Sequence, residues 1–170
     1  MARRTTVPSL FPPPGYAHAA VVETDRRLAF LAGSVPLDKD GTLVGPGDFV
    51  VQTEQVLANL ETALHAVGSD LGRVISTDVY VVASEPADLT RVWDVVNASG
   101  LRTGPHTSTL LGVACLGYTG QLVEITAVAE VAEVAAVAEG AAVAEGAAGA
   151  GEAGEGTDAF APAGATDPVK

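Results

Sequence analysis

The apolar pattern of this chain predicts an α+β domain of element order β-β-α-β-α-β-β, with two helices on one face of a mixed sheet. Three observations carry that prediction. Asp48–Val67 repeats its apolar residues at helical spacing. Short β-branched runs flank it on both sides. Thr107–Ala129 then closes the domain with two apolar runs around a glycine turn.

In chain order, residues 1–15 form a Pro-rich arm, in which Pro12, Pro13 and Pro14 have no backbone N–H to donate and favour an extended path. Ala19–Thr24 and Leu28–Ala32 read as two strands of a hairpin turning at Asp25-Arg26-Arg27, and Gly33-Ser34-Val35-Pro36 ends the second. Asp38-Lys39-Asp40-Gly41 is turn chemistry, and Gly45-Pro46-Gly47 is a break. Val56, Leu57, Leu60, Leu64 and Val67 make one helical stripe, with Asp48 as N-cap and Gly68 as the left-handed residue beyond the end. Asn59, a poor helix former, is expected to bond across to a neighbouring loop.

Val74–Ala83 alternates Ile75, Thr77, Val79 and Val81 against Ser76, Asp78, Tyr80 and Val82, a strand covered mainly on one side. Ser84-Glu85-Pro86 starts a second helix, whose stripe is Leu89, Val92, Trp93 and Val96. After the loop Asn97–Pro105, the run Leu110–Leu116, the turn Gly117–Gly120 and the run Leu122–Val128 predict a closing hairpin. Glu124 sits between Val123 and Ile125 and shares its face with Leu122 and Thr126. So isolated an acid either points to water or is held for chemistry. Apolar residues on both faces of the last strands call for a second cover, and a closed homo-oligomer supplies it.

Of the 170 residues, 16–130 carry the domain and 131–170 form an Ala/Gly/Glu-rich segment that repeats VAEGAA at Val137–Ala142 and Val143–Ala148. Such composition predicts a disordered, solubilising tail. Residues 1–129 hold 13 acidic and 8 basic residues, a balance of −5, which argues against binding a phosphate backbone. Cys115 is the only cysteine; it is read as a small hydrophobe inside an apolar strand, and a reducing cytoplasm fits it. The N-terminus lacks the apolar core of a signal peptide, and no run reaches the ~20 apolar residues a membrane span needs. His18, His65 and His106 are scattered, so no metal site is expected, and no phosphate-binding or serine-nucleophile motif occurs. No cofactor is expected.

Several segments carry a resemblance. Gly15-Tyr16 resembles a Gly-Pro-Tyr entry to the first strand, and Phe30–Pro36 a Ser-Gly-Gln-hydrophobe-Pro strand. Gln52-Thr53 with Leu57-Ala58-Asn59-Leu60 resembles a Q-t…l-N-l helix, and Leu122-Val123-Glu124-Ile125 with Ala127–Ala129 a closing vEi…A strand. On these residues 15–129 resemble the RidA/YjgF family of reactive-intermediate deaminases. The resemblance implies a chorismate-mutase-like fold and a homotrimer with ligand clefts between subunits. There an arginine holds the substrate carboxylate and a glutamate positions or activates water to hydrolyse imines or enamines.

Tyr16, Gly33 and Glu124 fall on the family's tyrosine, backbone donor and glutamate, which makes Glu124 and Tyr16 the candidate catalytic pair. The arginine position is Ser108. Ala32 replaces a small hydroxyl residue, Trp93 an asparagine and Leu110 a cysteine. A charged hydrogen bond contributes roughly 1.5–3 kcal/mol, so a site without the arginine is expected to hold simple 2-iminoacids weakly. His106 could replace the arginine if protonated and turned inward; otherwise it is an exposed loop histidine beside Pro105. Two functions are consistent with these residues: an imine- or enamine-processing enzyme with a larger or less acidic substrate, and a non-catalytic trimer that binds a small metabolite. The ribonuclease activity sometimes attached to the family by name lacks a histidine pair and a basic groove here.

Overall fold

A computed structural model describes residues 2–104 and 106–132, so the tail reading lies outside the described residues. The elements are β1 (Arg3–Thr5), β2 (Ala19–Val21), β3 (Leu28–Ser34), α1 (Phe49–Ala66), β4 (Val74–Val81), α2 (Pro86–Ala98), β5 (Thr107–Gly112) and β6 (Val123–Glu130). From β2 onward this is the predicted order, and the α+β class holds.

The helices start and stop where their local chemistry dictates. The Asp48 carboxylate accepts from the Val50 and Val51 amides, two of the donors a helix start leaves unpaired. Gly68, at φ +75°, follows the C-cap Val67. Pro86 occupies the first turn of α2, and Glu85 and Asp88 form a reciprocal capping box. Asn59 makes the predicted reach: its Nδ2 donates to the Val35 and Leu37 carbonyls, at 2.8 Å each.

The main sheet has order β3-β6-β4-β5, with β4 and β5 parallel and the other neighbours antiparallel. Alternation divides its faces. Val79, Val81, Val123, Ile125, Ala127 and Ala129 are buried with Val56, Leu60 and Leu64 of α1 and Val92 and Val96 of α2. Each such large aliphatic side chain contributes about 1.5–3 kcal/mol by leaving water. The opposite face carries Tyr80, Glu124, Thr126 and Val128, half-buried, and Phe30, which is 79% exposed.

Two predicted hairpins are corrected. β5 and β6 do not pair: β4 lies between them, and residues 113–122 form the connection. A strand's apolar pattern records which face is buried and says nothing about which neighbour completes its ladder. In that connection Cys115 is exposed, outside any strand, contrary to the buried reading. Similarly, β2 pairs with β1 in the N-terminal arm and not with β3. The arm is therefore partly strand, and Arg4 anchors it by donating from Nη2 to the Gly72 and Val74 carbonyls at 3.1 and 2.6 Å.

Candidate functional site

Buried Gln52 on α1 positions the start of β6. Its Nε2 donates to the Gly45 and Gly120 carbonyls, and its Oε1 accepts from the Leu122 amide at 2.7 Å. Holding Leu122 fixes the register of the strand that carries Glu124. Gln121 then turns its own amide onto the carboxylate, with Nε2 donating to Glu124 Oε2 at 3.0 Å and to the Val123 carbonyl at 3.2 Å. Gly33 of β3 supplies the space. A Cβ there would collide with the carboxylate, 2.7 Å from Glu124 Cδ. Gly33 and Glu124 thus form one polar corner on the face away from the helices. Ala32 adjoins it, exposed.

Tyr16, Trp93, Ser108 and Leu110 come together elsewhere. With Pro14 they line a cavity of about 310 Å³ at the edge of the sheet beside α2, the size of a small-molecule site. Tyr16 meets Trp93 edge to face, ring centroids 6.1 Å apart and planes at 78°. Trp93 Nε1 donates to the Pro14 carbonyl at 3.1 Å, which fixes the indole and ties the proline arm to α2. Tyr16 is held by a parallel bridge with His106, in which the Ala17 amide donates to the His106 carbonyl.

His106 is turned inward and is 2% exposed. Burial pushes its pKa down to about 4, further lowered by the Arg4 guanidinium and partly offset by a backbone contact with Leu101. The imidazole is neutral at pH 7 and cannot stand in for a guanidinium. It bonds Thr77 instead: His106 Nε2 lies 3.1 Å from Thr77 Oγ1, which lies 2.9 Å from Ser108 Oγ. Thr77 and Gln121 escaped the sequence reading. A threonine on the buried side of an otherwise aliphatic strand, and an amide three residues before the lone acid, were their only signals. Among the described residues no group of three or more His, Cys, Asp or Glu is placed to hold a metal ion.

A two-helix α+β domain with a carboxylate seated over a strand glycine and an aromatic-lined cavity at the sheet edge is a small-molecule-binding protein of the RidA/YjgF kind. The chain belongs to that family: residues 10–131 match the family described as Endoribonuclease L-PSP. It is similar to protein DfrA of Myxococcus xanthus, 32% identical over 114 residues, 67% of this chain and 83% of that one. Among solved structures it resembles the Rid-family protein YyfB from Yersinia pestis, with TM-score 0.70 and 32% identity over 76% of this chain and 98% of that one. It also resembles Rv2704, a YjgF/YER057c/UK114-family protein from Mycobacterium tuberculosis, with TM-score 0.51 and 27% identity over 77% and all of the two chains. No helix among the described residues is long and apolar enough to cross a membrane.

Proposed function

We propose that the protein processes a small imine- or enamine-type metabolite in clefts between subunits of a homotrimer, with Glu124 as the acid/base group. The observation that carries the reading is the seating of Glu124: one carboxylate oxygen is held by Gln121 and the side chain lies over Gly33, on a sheet face rich in exposed apolar groups. Packing that face on the cavity edge of a second copy would bring Glu124 opposite Tyr16 and Ser108. Glu124 would take a proton from water as the water oxygen bonds to the imine carbon and pass it to nitrogen, then carry the proton of the new hydroxyl to nitrogen as well, so that the C–N bond breaks and ammonia leaves as the carbonyl forms. Tyr16 and Ser108 would hold the ligand.

None of the described residues lining the cavity is charged. That favours a substrate less acidic than a 2-iminoacid, and it also supports a second reading, non-catalytic binding of a neutral metabolite. Ammonia release from 2-iminopropionate and from an uncharged cyclic imine, generated in place, separates the two. Turnover of the uncharged imine that disappears in Glu124→Gln, with assembly intact, supports the enzyme. Indifference to both imines supports binding. Turnover of 2-iminopropionate only in Ser108→Arg would identify the missing guanidinium as the limiting group.

A further inference from the structure

The Ser108 hydroxyl, which lines the Tyr16–Trp93 cavity, has a buried hydroxyl within hydrogen-bond distance. Thr77 is 1% exposed and stands between His106 and Ser108, at hydrogen-bond distance from each. Its hydroxyl has a single proton. Where it donates to His106 Nε2, it can only accept from Ser108, whose own proton is then committed. A neutral imidazole likewise offers Nε2 as either a donor or an acceptor, according to its tautomer. With Nε2 as the acceptor, Thr77 and Ser108 are set in sequence, and reversal requires the protons along the chain to shift together. Buried chains of this kind polarise one another, whereas a solvated hydroxyl turns freely.

We infer that His106 and Thr77 are positioning residues that give the Ser108 hydroxyl one fixed polarity, making it the anchor by which the cavity selects among uncharged aromatic ligands. The inference rests on the cavity being the ligand site and names what that site would recognise: a flat ring against Tyr16 and Trp93 with one neutral polar atom reaching Ser108. Thr77 touches no ligand in this arrangement. His106 acts only through Thr77. The selection favours a ligand that donates its hydrogen bond, because a Ser108 hydroxyl whose proton is committed to Thr77 offers only lone pairs and leaves a ligand acceptor unpaired. An unpaired polar atom at the ligand contact is the stronger discriminator.

Trp93 is the only tryptophan of the chain, so its fluorescence reports occupancy of this cavity alone. Phenol, a donor, and acetophenone, an acceptor, are titrated into the full-length protein at pH 7. The parent should bind phenol about tenfold more tightly than acetophenone, the loss expected when a ligand acceptor goes unpaired. Thr77→Val, which keeps the volume, frees Ser108 to turn and should bring the two affinities within about twofold; His106→Gln should do the same. Ser108→Ala should weaken the preferred probe alone. Equal affinities in the parent overturn the inference, as does a preference that survives Thr77→Val in a variant with unchanged circular dichroism. If neither probe gives saturable quenching, the cavity is not a ligand site, and the wider functional reading falls with the inference. Saturable binding without discrimination removes only the inference.

Discussion

Ser108 and Glu124 lie on opposite faces of one sheet, one on each strand flanking β4: Ser108 registers with Thr77, and Glu124 with Tyr80 three residues further along. Successive side chains on a strand alternate, so an odd offset along β4 separates the two faces. The arginine and glutamate positions of the family therefore cannot meet within one chain. In the proposed cleft the two would come from different copies, joined through the exposed face around Phe30.

Phe30→Glu places a charge on that face, on the edge strand β3. Sedimentation should show the parent as a trimer and the variant as a monomer, and any turnover should vanish with assembly. A monomeric parent would overturn the cleft. Reassembling Glu124→Gln chains with chains whose cavity is filled by Leu110→Trp should restore about a quarter of the clefts, because each cleft draws one half from each of two subunits.

Gly33→Ala tests the seating of the carboxylate. The added methyl meets Glu124 and must displace it, at a stability cost of about 1–3 kcal/mol for an overpacked contact. Turnover should fall at least as far as in Glu124→Gln, while Kd for phenol, measured through Trp93, should stay unchanged. A Gly33→Ala enzyme with parental kcat would show that Glu124 has room to spare.

Acid sensitivity follows from His106. Its pKa of about 4 in the folded chain lies below the ordinary 6.5, so the unfolded chain binds more protons between those two values. The contribution is fully present above about pH 6.5 and is lost as pH falls toward 4, a change on the order of 3 kcal/mol. Urea midpoints of the parent should drop between pH 7 and pH 4.5 by more than those of His106→Gln. Parallel drops would show that carboxylates alone account for the acid response.

Asn59→Ala removes both donors from the Val35 and Leu37 carbonyls in the loop after β3. A loss of about 2 kcal/mol is expected from urea unfolding, less what water recovers at these half-exposed carbonyls. Faster proteolysis between β3 and α1 should accompany it, since both lost bonds hold that connection to the helix.

Residues close in the chain made much of this protein legible. The period of Val56, Leu60 and Leu64, the Asp48 cap, Gly68 at positive φ and the Pro86 start each depend on contacts within one or two turns. The strand alternation around Val79 showed which face is buried for the same reason. Asn59 was legible as an anomaly, a poor helix former with a job elsewhere. Cys115 was misread because the apolar run around it continues past the end of β5 into a connection. Hydrophobicity alone does not mark where a ladder stops.

The sequence by itself determined the class, the helices, the number of strands after the arm and the identity of Glu124 as the acid to watch. Only the tertiary structure decided that β4 separates β5 from β6, that β1 captures β2, and that His106 is buried, neutral and bonded through Thr77 to Ser108. The reason is physical. Helical period and capping are fixed by neighbours along the chain, whereas strand order and the burial of a single histidine depend on which distant segments exclude water together. Ser108 and Glu124 both belong to the closing segment of the domain, and its fold sends them to opposite sides.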